Sequence, residues 1–322
     1  MRCIAIAKEL NKRNIEATFV VSDNNSVPIL SSYGFKYIVL NVNWQDLSRE
    51  KDIIENLLRD EHNPILFIDT YSITKEYVDL LKPYSKIVYL GSKKLYLGDI
   101  NLLINYSADI DYSFYEQYQN TRLLLGPKYA PLREEFYGKN KEFNNSMKRV
   151  LITVGNSDPL QFELKLLSRL YESKHFVDLS FDVVVGSLFD NKEEIFERFG
   201  EKKNIVLHSN VRGMSSLMES ADFAISANGT TVYELSAMMV PTLSFSLVQE
   251  QINSANALKK LGIIDYCGEA FVNLEETINT IIEKLDYYYQ NSAERKKLGE
   301  RANELISGNG CQLIVDSIIR LL

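Results

Sequence analysis

The stretch Ala227-Asn228-Gly229-Thr230-Thr231-Val232-Tyr233-Glu234 decides how the fold of this chain is interpreted. It follows a short apolar run over 223–225, and a helix that begins at its two threonines is expected to stop before Pro241. A strand, a glycine turn and a helix N-terminus in this order form an anion site, because unpaired backbone N–H groups and the positive end of the helix dipole face the ligand. The predicted ligand is therefore a nucleoside diphosphate.

The same stretch supplies a candidate contact for each part of such a ligand. The turn residues Asn228, Gly229, Thr230 and Thr231 are predicted to face the diphosphate. Glu234 is expected on the first turn of the helix, where its carboxylate accepts hydrogen bonds from ribose hydroxyls. The alternative for Glu234 is an ordinary first-turn acid that the helix dipole stabilises. Glycine-threonine turns are common between strands and helices, so the prediction depends on the pattern of the whole chain.

The amino-acid composition limits the classes of protein to which this chain can belong. The 322 residues suffice for two domains, and 45% apolar with 25% charged residues is typical of a soluble globular protein. A net charge of −7 argues against nucleic acid or an anionic membrane as the main partner. No apolar run approaches the roughly 18 residues of a membrane helix, so no integral membrane segment is predicted. Cys3, Cys267 and Cys311 are too few and too widely spaced for a disulfide framework or a zinc site, which favours reduced thiols in the cytoplasm.

Strand-like apolar runs alternate with amphipathic helical stretches along the chain. Such runs, separated by helices, indicate parallel sheets covered on both faces, so the predicted fold class is α/β, built twice. The predicted strands are 17–21, 37–40, 65–69, 86–90, 102–105 and 122–125 in the first half, and 149–154, 181–185, 204–207, 223–225 and 242–245 in the second. The first ten residues already have a helical pattern, so the first domain begins with a helix where a doubly wound domain usually begins with a strand.

Ligands of open parallel sheets bind beyond the carboxyl ends of the strands, and this rule sorts the candidates. Asp69-Thr70-Tyr71 and Gly155-Asn156-Ser157-Asp158-Pro159 each follow a predicted strand at that edge, and His208 ends another. His62 and His175 precede strands and are expected on the far side.

Each candidate also has a purely structural interpretation. Asp69-Thr70 alone is typical of a helix cap. Ser157-Asp158 before Pro159 is equally typical of an N-cap followed by proline at the first helical position, which is compatible with a phosphate contact. His208 is interpreted as a surface residue rather than a base. Tyr71 carries little weight alone, since the chain has 19 tyrosines.

The motifs together resemble a known family. The second half resembles the nucleotide-binding half of GT-B enzymes. The whole chain is similar to the UDP-2,4-diacetamido-2,4,6-trideoxy-β-L-altropyranose hydrolases of pseudaminic acid biosynthesis and to related spore-coat polysaccharide proteins. The segments that carry the resemblance are 1–10, 69–71, 102–105, 126–136, 155–159, 214–222, 229–234 and 249–251. It implies a GT-B-like fold of two Rossmann-like domains with a cleft between them. The predicted bounds are 1–138 for the first domain, 139–148 for the linker, 149–306 for the UDP-binding domain and 307–322 for a C-terminal helix that packs back on the first domain.

The resemblance also implies roles for individual residues. Backbone near Val211-Arg212 would recognise uracil, and the turn at 228–231 would bind the diphosphate with help from Gly155 and Ser157. Glu250 and Gln251 would face the sugar. Asp69 and Tyr71 would reach across from the first domain as catalytic residues. Neither a cofactor nor a metal is expected, because backbone donors and the helix dipole carry the charge of the leaving UDP.

This sequence departs from the family pattern at three points. Gly155-Asn156 and Asn228-Gly229 each stand where the family has two glycines, and we expect both turns to survive because asparagine tolerates the left-handed conformation. Glu250-Gln251 replaces an Asn-Gln pair. The family's first strand and glycine-rich loop end in a histidine base. The chain starts just after that point and its first histidine is His62, so we expect the reading frame to extend upstream and the chain as written to be nearly inactive.

Three functions fit these observations. The first is a UDP-sugar hydrolase in which water attacks the anomeric carbon. The second is a GT-B glycosyltransferase that uses the same UDP-sugar site with another acceptor. The third is a non-catalytic nucleotide-sugar binder. The acidic balance and the absence of a basic or apolar membrane patch favour the hydrolase over a transferase of lipid acceptors.

Overall fold

The computed structural model describes residues 1–138, 141–211 and 213–322, which form two compact units. Unit 1 comprises Met1–Arg133 and Asn309–Leu322, and unit 2 comprises Glu134–Gly308. Both consist of parallel sheets and helices, so the predicted α/β class, built twice, is confirmed. Within the described ranges, no helix combines the length and apolar character needed to cross a bilayer.

Unit 1 begins with a helix, as the sequence predicts. Its helices are α1 (Arg2–Lys12), α2 (Val27–Ser32), α3 (Lys51–Arg59), α4 (Lys75–Leu81), α5 (Tyr112–Tyr115) and, from the end of the chain, α13 (Gly310–Ile319). Its strands are β1 (Thr18–Val21), β2 (Lys36–Val39), β3 (Ile65–Ile68), β4 (Lys86–Leu90), β5 (Leu102–Asn105) and β6 (Arg122–Leu125). β1 and β2 pair as a two-stranded parallel sheet, and β3 to β6 pair in chain order as a four-stranded parallel sheet.

Two layers of helices cover the four-stranded sheet of unit 1. α1 and α13 pack on the face that carries Val88 and Leu90, and α3 and α4 pack on the face that carries Ile87 and Tyr89. Successive side chains of a strand point to opposite faces, so the continuous apolar run of β4 supplies both cores. α1 also packs Ile4 and Ala7 in a separate cluster with residues of the β1–β2 region.

Unit 2 contains one six-stranded parallel sheet. Its elements in chain order are β7 (Arg149–Thr153), α6 (Phe162–Glu172), β8 (Ser180–Val185), α7 (Lys192–Phe199), β9 (Ile205–Ser209), α8 (Met214–Ser220), β10 (Phe223–Ala227), α9 (Thr230–Ala237), β11 (Thr242–Ser246), α10 (Ile252–Lys260), β12 (Asp265–Glu269), α11 (Leu274–Gln290) and α12 (Ser292–Leu305). The strand order is β12-β11-β10-β7-β8-β9, the doubly wound arrangement. The chain first moves outward from β7 to β9 and then returns to β10 on the other side of β7.

One strand of unit 2 is missing from the sequence prediction. β12 reads Asp-Tyr-Cys-Gly-Glu, with acids at both ends and a glycine inside, so it lacks the apolar run by which the other strands are recognised. It lies at the edge of the sheet and pairs only with β11. Its pairing with β11, together with the burial of Tyr266 and Cys267, holds this segment as a strand.

The main core of unit 2 lies between its sheet and the helices α6 and α11. Alternate residues of each central strand face it, for example Val150 and Ile152 of β7. Phe162 at the start of α6 stacks on Phe245 of β11, with ring centroids 4.0 Å apart and an interplanar angle of 17°. This contact fixes the beginning of α6 over the middle of the sheet.

A fully buried arginine fixes the segment that leads into β7. The guanidinium of Arg295 on α12 donates to the carbonyls of Tyr288, Asn144 and Asn145 at 2.8 to 2.9 Å. It also lies 5.2 Å from the ring centroid of Phe143. Burial lowers the pKa of Arg295. Hydrogen bonds from the planar fork to three carbonyls offset the cost of burying the charge.

We expect Arg295→Ala to destabilise unit 2 by about 2–4 kcal/mol, because it leaves three carbonyls unpaired and a cavity behind. Lys297→Ala on the same helix is the matched control, since the Lys297 side chain is 79% exposed and makes only a long ion pair. Urea unfolding followed by circular dichroism measures both variants. Equal unfolding midpoints for the two variants would show that the buried guanidinium does not hold this segment.

Candidate functional site

The topology of unit 2 locates its ligand site without reference to any motif. The strand order reverses between β7 and β10, and open parallel sheets bind ligands in the crevice at such a switch point. Thr153 of β7 is in register with Ser226 of β10, so the turns that follow these two strands start at the same level of the same edge. The predicted segments 155–159 and 228–231 are these two turns.

The turn after β10 leaves the N-terminus of α9 open. Gly229 is the N-cap, no side chain caps the helix, and both Gly229 and Thr230 are exposed. No atom lies within 4 Å of the position where a Cβ on Gly229 would be. The backbone N–H groups of the first turn of this eight-residue helix can therefore receive an anion.

The expectation that Asn156 and Asn228 adopt the left-handed conformation is wrong. The left-handed conformation occurs in this region at Gly155, with φ of +103°, and neither Asn156 nor Asn228 has a positive φ. Gly229 has φ of −173°, an extended conformation open to any residue. The two asparagines are accommodated because the turns do not require the left-handed region at their positions.

Asn228 connects the turn to the loop after β11 instead of facing the ligand with its side chain. Its amide Nδ2 donates to the carbonyl of Gln251 at 3.1 Å, and the residue is 2% exposed. Gln251 is held in turn, because its Oε1 accepts a hydrogen bond of 2.7 Å from the backbone N–H of Leu247. Glu250 is exposed beside it. The predicted sugar-binding pair and the predicted diphosphate turn are therefore linked directly.

Glu234 lies further along α9 than the sequence predicts. It is the fifth residue of the helix, at the start of its second turn, and the first turn carries no acid. The explanation of Glu234 as a first-turn acid that the dipole stabilises is therefore wrong. Glu234 is half-buried, and helical side chains lean toward the N-terminus of their helix, which is the end that adjoins the open turn.

The turn after β7 is capped by one of its own residues. Asp158 is buried and its two oxygens accept hydrogen bonds from the backbone N–H groups of Phe162 and Glu163, at 2.9 and 2.8 Å. The capping interpretation is thus correct for Asp158, but Pro159 is not the first helical residue, because α6 begins at Phe162. Ser157 is exposed at this turn, as are Gly155 and Asn156.

Glu163 is a buried acid beneath this turn. It is fully buried, and neither carboxylate oxygen has a hydrogen-bond partner among the described residues. Burial raises the pKa of Glu163 well above its usual range, and the neighbouring charge of Asp158 raises it further. Burial therefore disfavours the charged form of Glu163, and the side chain that caps α6 is that of Asp158.

The first candidate of unit 1, Asp69, is an exposed residue whose two carboxylate oxygens both accept hydrogen bonds. Arg2 donates to both carboxylate oxygens through Nε, at 2.9 Å, and Nη2, and the thiol of Cys3 donates to Oδ2 at 2.9 Å. Arg2 Nη1 donates to the hydroxyl of Tyr106 at 3.0 Å, so the guanidinium joins the ends of β3 and β5. The pKa of Arg2 is raised, chiefly by its hydrogen bond to Asp69.

Tyr71 is 69% exposed beyond the end of β3, at the edge where ligands of parallel sheets bind. The prediction that Asp69-Thr70 caps the next helix is wrong. Thr74 caps α4 instead, accepting a hydrogen bond of 3.2 Å from the N–H of Tyr77.

The remaining candidates divide into three groups. Arg212 falls outside the described residues. His208 is the fourth of the five residues of β9, in register with Val184 of β8, and its Nε2 lies 2.8 Å from Oδ1 of the buried Asp182, so it is the partner of a buried acid. His62 precedes β3, as expected, and His175 precedes β8. Across the described ranges, no three His, Cys, Asp or Glu side chains are grouped so as to hold a metal ion.

Three curated relatives resemble the chain in sequence. The spore coat polysaccharide biosynthesis protein SpsG of Bacillus subtilis is 26% identical over 193 residues, which is 59% of this chain and 56% of that protein. The UDP-2,4-diacetamido-2,4,6-trideoxy-β-L-altropyranose hydrolase of Campylobacter jejuni is 24% identical over 216 residues, which is 64% of this chain and 75% of that protein. The pseudaminic acid cytidylyltransferase and UDP-2,4-diacetamido-2,4,6-trideoxy-β-L-altropyranose hydrolase of Helicobacter pylori is 27% identical over 208 residues, covering 62% and 37%.

The chain is similar to these three proteins, two of which are named as hydrolases. The family resemblance stated from the sequence motifs is thereby confirmed. The chain spans about half the length of curated relatives that it matches, for example 56% of the Bacillus protein. No protein-family model matches the chain.

Solved structures agree on the fold. Acinetobacter baumannii MurG superposes with a TM-score of 0.68 at 13% identity, covering 99% of this chain and 95% of that chain. Arabidopsis thaliana UGT89C1 complexed with UDP superposes with a TM-score of 0.63 at 15% identity, covering 98% and 95%. At these identities the likeness shows the fold alone, and the predicted GT-B-like class with two Rossmann-like domains is confirmed.

The raised pKa values of the three cysteine thiols yield a prediction about their reactivity. Burial raises the pKa of the Cys267 and Cys311 thiols to about 12, and burial together with the charge of Asp69 raises that of Cys3. Only the thiolate is reactive, so at pH 8 we expect iodoacetamide to modify all three more than about 100-fold more slowly in the folded chain than in urea. Mass spectrometry of the modified peptides measures each site. A Cys3 that reacts at the unfolded rate would be an ionised thiol and a candidate nucleophile.

Proposed function

We propose that this chain binds a UDP-sugar at the β7–β10 switch point and acts on it as a hydrolase. The substrate class is a UDP-linked 2,4-diacetamido-2,4,6-trideoxyhexose used in nonulosonic acid or surface polysaccharide synthesis. The observation that carries the proposal is the open N-terminus of α9 beside the exposed turn at Gly155. The names of the relatives in Campylobacter and Helicobacter support the substrate class.

The two turns suit a diphosphate on electrostatic grounds. A negative group at a helix N-terminus gains about 0.3–1 kcal/mol at an exposed site and up to about 2 kcal/mol when partly buried. Backbone N–H groups that already point at the ligand need no reorganisation as charge develops on the leaving group. Gly155, Ser157, Gly229, Thr230 and Thr231 are the proposed contacts. This arrangement needs neither a cofactor nor a metal ion.

The proposed reaction is a displacement at the anomeric carbon. The oxygen of a water forms a bond to that carbon, the bond from carbon to the β-phosphate oxygen breaks, and UDP leaves with the electron pair. The water gives up a proton to a base or to solvent. Glu234 is proposed to bind the ribose, Arg212 the uracil, and Glu250 with Gln251 the sugar. Asp69 and Tyr71 are the proposed catalytic residues of unit 1.

The cysteines bear on where the reaction takes place. Cys3, Cys267 and Cys311 are all free thiols in the structure. Free thiols suit a reducing compartment, so the cytoplasm is the proposed location.

The complete gene product is expected to release UDP and free sugar from UDP-2,4-diacetamido-2,4,6-trideoxy-β-L-altropyranose without any added acceptor. Chromatography of the nucleotide and nuclear magnetic resonance of the sugar measure both products. Because a glycosyltransferase from Rickettsia africae shares the fold, with a TM-score of 0.64, the same assay is repeated with candidate acceptors. Release of UDP that depends strictly on an acceptor would identify a transferase, and tight binding without turnover would identify a binder.

Glu234→Ala is expected to weaken UDP binding about 10- to 100-fold, the effect of losing hydrogen bonds to a charged group. Titration calorimetry measures the affinity for UDP and for 2′,3′-dideoxy-UDP. The dideoxy ligand lacks the hydroxyls, so its affinity is expected to be the same for the variant and the wild type.

Glu172→Ala is the matched control, because it removes an exposed acid at the far end of α6 in the same unit. Its affinity for UDP is expected to stay at the wild-type value. An equal loss of affinity for UDP and for the dideoxy ligand in Glu234→Ala would contradict a contact between Glu234 and the ribose.

A further inference from the structure

The turn after β7 is held from outside by the loop that follows β8, residues 186–189. We propose that Asn156 and this loop form a clasp that positions the turn for the diphosphate, with Asn156, Gly186 and Ser187 as positioning residues. This inference rests on the proposed function, gives Asn156 a specific part in it, and adds Gly186 and Ser187, which no sequence motif assigned to it. The Asn156 clasp consists of Asn156 and its hydrogen-bond partners Ser187 and Leu188.

Three hydrogen bonds make the clasp. The Oδ1 atom of Asn156 accepts from the hydroxyl of Ser187 at 2.7 Å and from the backbone N–H of Ser187 at 3.2 Å. The carbonyl of Asn156 accepts from the backbone N–H of Leu188 at 3.0 Å. Side chain and main chain of one residue are thus both bound to the same loop. Asn156 and Ser187 are exposed, so these bonds do not serve to satisfy buried groups.

The loop approaches the turn so closely that residue 186 must be glycine. A Cβ on Gly186 would lie 2.5 Å from the carbonyl oxygen of Asn156 and 2.6 Å from that of Gly155. It would also lie 2.5 Å from the ring of Phe189, which is 6% exposed and packed in the core. Backbone oxygens on one side and a core ring on the other cannot give way cheaply. The contact is therefore built into the backbone of both strand ends.

The clasp secures the outer side of a turn that is already secured on its inner side. Asp158 fixes the inner side by capping α6. The exposed Ser157 lies between these two attachments, and Gly155, in a left-handed conformation that few residues adopt, directly precedes Asn156. A ligand that meets N–H groups held in place does not have to order them on binding, so holding the turn adds affinity without adding a contact.

The position of the clasp determines which part of the ligand it affects. The turn after β7 faces the turn after β10 across the switch point, and the first-turn N–H groups of α9 are the proposed diphosphate contacts. The clasp therefore affects the binding of the phosphates, whereas uracil and ribose are bound elsewhere in the proposed site. A change in the clasp should alter the affinity for UDP and leave that for uridine unchanged.

Asn156→Ala removes the Oδ1 acceptor and keeps the backbone bond to Leu188. We expect it to weaken UDP binding about tenfold and to leave uridine binding unchanged, as measured by titration calorimetry. Ser187→Ala should weaken UDP binding by a smaller factor, because the bond from its N–H remains. The double variant should be no weaker than Asn156→Ala alone, since both changes remove the same contact.

Asn279→Ala is the matched control, since Asn279 is also an exposed asparagine whose Oδ1 accepts one hydrogen bond, from Arg169 at 2.8 Å. It should bind UDP like the wild type. Hydrogen exchange gives a second readout of the clasp: in Asn156→Ala the amide of Ser187 should exchange faster.

The outcomes separate the inference from the proposed function. Wild-type affinity for UDP in Asn156→Ala, or equal losses for UDP and uridine, would overturn the clasp while the UDP site stands. A wild type that fails to bind UDP would overturn the proposed function and, with it, the role of the clasp in phosphate binding.

Discussion

The parallel register between β7 and β10 is the constraint on which the site depends. With Thr153 opposite Ser226, the two strands end together, and each then enters a turn at the same edge of the sheet. Their neighbours diverge on either side, β8 and β9 one way, β11 and β12 the other, so no crossover covers the space above this pair. A shift of one residue would turn every side chain of β10 to the wrong face of the sheet. The burial that stabilises unit 2 therefore also sets the spacing of its ligand-facing turns.

The two turns have different structural roles, and their sequences do not show the difference. The turn after β10 keeps its helix uncapped, and its one amide side chain, Asn228, is directed inward to the loop that carries Gln251. The turn after β7 does the opposite, since Asp158 caps α6 while Asn156 binds the neighbouring loop. Uncapped N–H groups thus come from one helix, and a rigid support comes from the other. Asn228 and Asn156 each follow a strand of the same sheet, but their side chains bind different loops because different segments lie next to them.

Hydrophobic pattern was sufficient to predict most of the fold. Runs such as those of β4 and β7 are continuous and apolar because both faces of their sheets are buried, and this signal is visible in a single sequence. β12 was not predictable on that basis, because it is polar and is held by its partner strand. At the candidate site, the sequence predicted a turn into a helix after β7 and another after β10, and the structure contains both, but it placed Glu234 on the wrong turn of α9 and assigned no role to Gly186 or Ser187. Those roles depend on which strand ends become neighbours, which local sequence does not encode.

Asp69 shows how much a residue's partners change its chemistry. A general base needs a lone pair directed at the proton it takes. The oxygens of Asp69 instead receive two nitrogens of Arg2 and the thiol of Cys3, at the start of α1. Arg2 also reaches Tyr106, so this carboxylate holds a guanidinium across the ends of β3 and β5. Asp69 therefore holds the Arg2 guanidinium in place, whereas the Tyr71 side chain, two residues further along the chain, is 69% exposed.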